Sequence, residues 1–218
     1  MRTSELFDLS HTRADKLLSR HEYPWQALGE IGEFVKELGK SLDAEIFSEV
    51  SENVWIAKNA KIYPSACIEA PCIIGENTEV RHCAFIRGKV IIGDGCVIGN
   101  SCEIKNSIIF DGVQIPHYNY VGDSVLGYKS HLGAGSVTSN LKSDKSDVVI
   151  KYNGKEITTG LRKIGAMVGD LTEVGCNSVL CPGCILGKNC TVYPVSRVRG
   201  VIPENSIFKA QDNIVKKH

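Results

Sequence analysis

Six histidines occur in the chain, at positions 11, 21, 82, 117, 131 and 218. One of them stands in a segment unlike its surroundings, Ile115-Pro116-His117-Tyr118-Asn119-Tyr120-Val121-Gly122-Asp123. His117, two residues after the inward Ile115 and beside Pro116, is read as facing solvent or an interface. Imidazole is the side chain that ordinarily titrates near neutral pH, so an outward histidine suits general-base work on an attacking nucleophile. The plain alternative is an inert surface histidine. Nine cysteines are the other reactive group. Their number is odd, and Cys181-Pro182-Gly183-Cys184 has the spacing of a redox pair without the following helix such a pair uses.

What positions these residues is a repeat. Isoleucine or valine recurs every six residues at 56, 62, 68, 74, 80, 86, 92, 98 and 104. A second block, Ile109, Ile115, Val121, Leu126 and Leu132, keeps the period with single-residue slips. Val168, Val174, Leu180, Leu186, Val192 and Val198 restore it. Four residues after each aliphatic stands a small residue, as at Ala60, Thr78, Cys96, Cys102, Thr172 and Cys190. One large and one small inward position per hexad suit a short strand and a tight corner. Three such sides close a coil of about eighteen residues, so the pattern predicts a parallel β-helix of about seven coils. Glycine and asparagine at the corners supply the positive φ that sharp bends need. Cys72, Cys96, Cys102, Cys184 and Cys190 fall at the small inward position and read as core filler.

Two segments lack the hexad. In residues 1–50, Ser10 is placed to cap a helix running to about Arg20. Pro24 is placed to open a second, with Trp25, Leu28, Ile31, Val35, Leu38 and Leu42 on one face. This segment is expected to cap a coil end or to form an oligomer contact. Residues 138–163 interrupt the coils, and Asn153-Gly154 between two strand-like runs, 148–152 and 155–159, predicts a hairpin with a type I′ turn. The expected organisation is a helical extension at 1–50, a β-helix domain at 51–210 with its arm at 138–163, and a tail at 211–218.

With 25 basic and 25 acidic residues, the chain offers no net field for nucleic acid or an anionic membrane, so neither is an expected partner. No run reaches the ~20 apolar residues of a membrane helix. The polar start MRTSELFDLSHTRADK lacks an apolar secretory core, so a cytoplasmic, reducing location is expected.

The runs HYNYVGDSVLG and HLGAGSVTSN, with TGLRKIGAMVGD after the arm, resemble the acetyltransferase domain of the bifunctional N-acetylglucosamine-1-phosphate uridyltransferase/glucosamine-1-phosphate acetyltransferase family. They are closer still to archaeal and clostridial sugar-1-phosphate nucleotidylyltransferase-like proteins. The similarity covers roughly residues 50–205. It implies an all-β, left-handed parallel β-helix with a short N-terminal helical cap and an inserted β-arm. It also implies a homotrimer with sites between subunits, and transfer from acetyl-CoA to a hexosamine 1-phosphate, most simply glucosamine 1-phosphate.

On the same basis the catalytic base falls on His117. Phosphate-binding positions fall on Arg87, Lys105 and Tyr120, and across the arm on Lys163. Asn140 takes the place of the asparagine at the acceptor and acyl group. Ala134 and Cys176 take positions near the acyl-CoA. His131 stands where the family has a sugar-binding asparagine. Arg197 and Arg199 lie near the last coil, toward the acyl-CoA phosphates. No metal is expected. No Gly-rich loop precedes the hexads, so no nucleotidyl transfer is expected of this chain.

Two alternatives stand beside this one. The first is a non-catalytic trimer that binds a sugar phosphate or nucleotide sugar. The second resembles the γ-class carbonic anhydrases, in which three histidines hold zinc. Here His82 and His117 are about two coils apart and no third histidine follows at the right step.

Overall fold

The computed structural model describes residues 1–217; His218 lies outside the described residues. Hexads fold into three parallel sheets wound as one solenoid, and few residues are helical. The first face runs from Val54–Ala57 to Val201–Ile202, the second from Lys61–Ile62 to Ser206–Ala210, and the third from Cys67–Ile68 to Arg197–Val198. Seven strands make up the third face, so the solenoid has seven complete coils and part of an eighth. The aliphatic of each hexad points inward, and Ile74, Ile92, Ile98, Ile104 and Leu180 are fully buried. Small inward residues fill the narrow ends. Buried hydroxyls among them are satisfied locally, with Thr78 Oγ1 donating to the Gly93 carbonyl at 2.8 Å and accepting from the Cys96 N–H at 3.0 Å.

The slips in the period are shortened corners. Early coils repeat every eighteen residues, so that Cys72 lies beside Val90. Through the middle coils the step is seventeen: Val90 pairs with Ser107, Ile109 with Leu126, and Tyr120 with Val137. The missing residue is taken from the corner between third and first faces, at Lys105-Asn106-Ser107 and Gly122-Asp123-Ser124. Asn106 and Asp123 turn these tight corners with φ of 45° and 50°. The hairpin arm, Val149–Tyr152 with Lys155–Thr158, leaves the same corner one coil later. Its turn residues Asn153 and Gly154 have φ of 50° and 72°, as a type I′ turn requires.

The first face differs from the others in being covered outside as well as inside. Its outward residues Ile73, Ile91, Ile108, Val125, Met167 and Ile185 are all fully buried. Each such side chain contributes roughly 1.5–3 kcal/mol relative to exposure. Residues 1–39 provide much of the cover, running along this flank rather than across a coil end as the sequence suggested. The Leu6 carbonyl accepts from Asp170 N–H, the His11 carbonyl from Asp111 N–H, and Arg13 makes a bidentate contact with Asp94 at 2.7 and 3.0 Å. Helix Ile31–Gly39 then packs on strands Cys72–Ile74 and Val90–Ile92. The first coil stays partly open, with Ile62 and Ile68 half-buried.

Helix lengths also depart from expectation. Ser10 does not cap a long helix. Its hydroxyl and N–H both donate to Asp8, which starts a short 3-10 turn at Leu9–His11, and the α-helix that follows spans only Asp15–Leu18. Pro24 opens a 3-10 segment, Pro24–Gly29, and the chain restarts as α-helix at Ile31. The predicted apolar face survives this break, with Trp25, Leu28, Ile31 and Val35 buried. At the other end the chain folds back, and Asn213–Lys216 pairs antiparallel with Ser206–Ala210.

All nine cysteines are free thiols. Cys72, Cys96, Cys102, Cys184 and Cys190 are buried, as their hexad position predicts. Burial pushes the Cys72 and Cys96 thiols up to about 12 and raises that of Cys184 as well. Thiolate is the reacting form. In native protein, an alkylating reagent is therefore expected to modify exposed Cys67, Cys83 and Cys176 first. The five inward thiols should react only after denaturation. Peptide mapping by mass spectrometry checks this, and rapid native labelling of Cys96 would contradict the assigned coil register.

Candidate functional site

The corner between second and third faces is a stack of turns joined by backbone hydrogen bonds. The His82 carbonyl accepts from Ser101 N–H at 3.2 Å, and the Asn100 carbonyl from Tyr118 N–H at 3.0 Å. Above them the His117 carbonyl accepts from Gly135 N–H at 2.9 Å, Ala134 from Asn177 at 2.8 Å, and Cys176 from Val195 at 2.8 Å. His117, Ala134 and Cys176 thus stand on one corner in three successive coils. His117 and Cys176 are exposed and Ala134 is half-buried. His82 lies on the same corner two turns below His117. Among the described residues, no group of three His, Cys, Asp or Glu side chains is placed to hold a metal ion.

Asn119 fixes this turn and was not singled out from the sequence. It is 2% exposed. Its Oδ1 accepts from the His117 N–H at 3.1 Å, while its Nδ2 donates to the carbonyls of Gly133 and Ser136 at 2.8 and 3.0 Å. One buried amide therefore ties the His117 turn to the turn above it, which carries Ala134.

The third face carries the charged groups. Arg87 is exposed and pairs with Glu103 at 2.6 Å, which raises the pKa of its guanidinium through hydrogen bond and charge. One coil on, Lys105 reaches Asp123 at 3.4 Å. Asp123 is the hub of this region: it is 5% exposed, accepts from Asn106 Nδ2 at 2.8 Å, and accepts from Asn140 Nδ2. Asn140 also donates to the Tyr120 hydroxyl at 3.1 Å. Burial raises the Tyr120 pKa, with the Asp123 charge acting in the same direction. Lys105, Tyr120 and Asn140 are thus joined through Asp123.

Lys163 arrives at the base of the arm, where it bridges Leu141 and where the Asn140 carbonyl accepts from Ile164 N–H at 3.0 Å. Lys163 is exposed and has no ion-pair partner among the described residues. His131 does not join this group. It lies on the second face, bonded through Nδ1 to Glu173 at 2.8 Å and paired in register with Gln114. Asp123 and Glu103 were missed in the sequence as members of the group. The signal was present in the slips at 104–109 and 121–126, which fall on the corners that hold Asn106 and Asp123.

A family model described as the GMPPB C-terminal domain matches residues 68–215, well over half of the chain. The chain belongs to this family. It is 31% identical to a bifunctional sugar-1-phosphate nucleotidylyltransferase/acetyltransferase of Sulfurisphaera tokodaii, over 94% of this chain and 56% of the relative. It is 32% identical to the bifunctional protein GlmU of Methanococcus maripaludis, over 89% of this chain and 48% of the relative. The chain spans about half the length of these relatives. Among solved structures, the UDP-N-acetylglucosamine acyltransferase of Campylobacter jejuni aligns with a TM-score of 0.44 at 16% identity, over 67% of this chain and 70% of that one. Among the described residues, no helix is long and apolar enough to cross a membrane.

Proposed function

We propose that this chain is an acetyltransferase that moves the acetyl group of acetyl-CoA to the amine of a hexosamine 1-phosphate, with glucosamine 1-phosphate as the leading acceptor. The observation that carries the reading is that His117 stands on the corner from which the third face begins. Above it on the same corner stand Ala134 and Cys176, the positions assigned to the acyl carrier. The third face and the corner after it carry Arg87, Lys105, Tyr120 and Asn140, the positions that the resemblance gives to the sugar phosphate.

In this reading His117 takes a proton from the amine as the nitrogen attacks the thioester carbon. The C–N bond forms, the C–S bond breaks, and the proton passes to the departing thiolate. Backbone N–H groups hold the oxyanion of the tetrahedral intermediate. Arg87, Lys105 and Lys163 balance the phosphate dianion. No covalent enzyme intermediate and no metal enter. A neighbouring subunit of a homotrimer completes the site, so a stable monomer in dilute solution would count against it. His131, where the resembling enzymes carry asparagine, lies on the second face apart from these groups, so in this reading it meets the acceptor only from a neighbouring subunit.

One observation favours a second reading, a sugar-phosphate or nucleotide-sugar binding trimer without turnover. Arg87 and Lys105 already face Glu103 and Asp123, so two cations of the phosphate set are neutralised within the chain. A thiol-release assay with acetyl-CoA and a panel of amino-sugar phosphates separates the two. Turnover with glucosamine 1-phosphate supports the first. A ligand-induced rise in melting temperature with no turnover on any acceptor selects the second.

A further inference from the structure

Asn140 stands at the corner after the third face, and its amide nitrogen is committed inside the chain. Nδ2 donates to the Tyr120 hydroxyl at 3.1 Å and to the Asp123 carboxylate. A carboxylate only accepts, so Asp123 fixes which end of the amide faces it. Asn106 shows how strongly this demand acts. Its Nδ2 is turned to Asp123 at 2.8 Å, although its own Oδ1 is then buried without a partner among the described residues. Asp123 is itself held in place, buried and facing the Lys105 ammonium at 3.4 Å.

Gly122 makes room for this arrangement. A Cβ built there would overlap the Tyr120 hydroxyl oxygen and stand 3.0 Å from Asn140 Nδ2, so hydroxyl and amide lie over bare backbone. With Nδ2 committed, the free end of Asn140 is its carbonyl oxygen. Oδ1 accepts from no group among the described residues, and Asn140 is only half-buried. We propose, on the reading that places Asn140 at the acceptor, that Asp123 is a positioning residue that makes the site select an amine. By holding Nδ2 it leaves Asn140 Oδ1 to accept an N–H of the acceptor. An amine suits this oxygen throughout the reaction. After it gives one proton to a base, another N–H remains to donate, whereas a hydroxyl that gives up its proton has none. With the amide reversed, Nδ2 would face the acceptor and compete for the nitrogen lone pair that must attack.

Titration calorimetry of the full chain with glucosamine 1-phosphate and with 2-deoxyglucose 1-phosphate, which has hydrogen in place of the amine, reads this contact without turnover. The wild type is expected to bind the amino sugar about tenfold more tightly or better, as for a hydrogen bond to a charged group. In Asp123→Asn the new amide can donate as well as accept, Asn140 loses its imposed direction, and the ratio should fall below about threefold. A change in phosphate affinity from the freed Lys105 acts on both ligands and cancels in the ratio. A role in folding alone would likewise weaken both together. Asp123→Asn/Asn140→Asp exchanges carboxylate and amide, presents an acceptor oxygen outward again, and should restore the ratio; it also serves where the single variant does not fold. An unchanged ratio in folded Asp123→Asn, or a lost ratio in the folded exchange variant, overturns the role of Asp123 and leaves the acceptor reading standing. Equal affinity of the wild type for the two ligands does the same. Absence of saturable binding of either ligand overturns the acceptor reading, and the role of Asp123 with it.

Discussion

His117→Ala is expected to lower acetyl transfer by about 10²–10⁴-fold, the usual contribution of a positioned general base, with the fold intact. The side chain is exposed and packs no core. Its removal should change stability by no more than about 0.5 kcal/mol, against the ~2–5 kcal/mol of core truncations. Steady-state kinetics and a denaturation curve on the same preparation check both halves. Arg87→Ala should act differently, raising KM for the phosphorylated acceptor more than KM for acetyl-CoA, because it removes binding rather than proton transfer. Near-full activity in His117→Ala, or loss of folding, makes His117 a structural residue and removes the proposed base.

The second large effect is expected at a residue that does not touch substrate. Asn119→Ala removes the acceptor for the His117 N–H and the donor to the carbonyls of Gly133 and Ser136. A buried polar group left without a partner costs about 1–3 kcal/mol, so a loss of about 2–4 kcal/mol is expected with three groups partly rehydrated. Asn119→Asp should be no better. A carboxylate can still accept from the His117 N–H but has no N–H for the two carbonyls, and its charge is buried against them. Because the same amide holds the His117 turn against the turn of Ala134, turnover should fall at least tenfold in both variants. Chemical denaturation and the thiol-release assay measure the two consequences. A variant with wild-type stability would show that water replaces the amide and that Asn119 does not set the corner.

Much of this architecture is legible in the hexads because each inward position makes the same demand in every coil. An aliphatic side chain every six residues fills the centre, and Cys96 or Thr78 fits where Ile does not. The Asn153-Gly154 turn was legible for a local reason, its backbone needing two consecutive positive φ values. Helix lengths in residues 1–50 were not. The apolar spacing of Trp25, Leu28, Ile31 and Val35 describes a face, and a 3-10 turn followed by an α-helix presents nearly the same face as one long helix. The packing partner decides, here the outer side of strands Cys72–Ile74 and Val90–Ile92. Position on the flank rather than the coil end follows from outward residues such as Ile73, Ile91 and Ile108, which are apolar in every coil of the first face but mixed with charged and polar residues on the other two, and need cover.

By itself the sequence determined the solenoid, its three-sided coil, the arm and the outward position of His117, because repeat period and turn chemistry are short-range properties. Tertiary structure decided which outward residues meet. Lys105, Asn106, Tyr120, Asp123 and Asn140 are spread over 36 positions, yet three stacked strands and two shortened corners gather them around one buried carboxylate. Coil stacking also put His131 on the second face beside Glu173, apart from the group with which motif order had placed it. Strand register brings residues seventeen or eighteen positions apart into contact and turns neighbours around a corner away from each other. Linear order carries the type of each group, and only the winding fixes its partners.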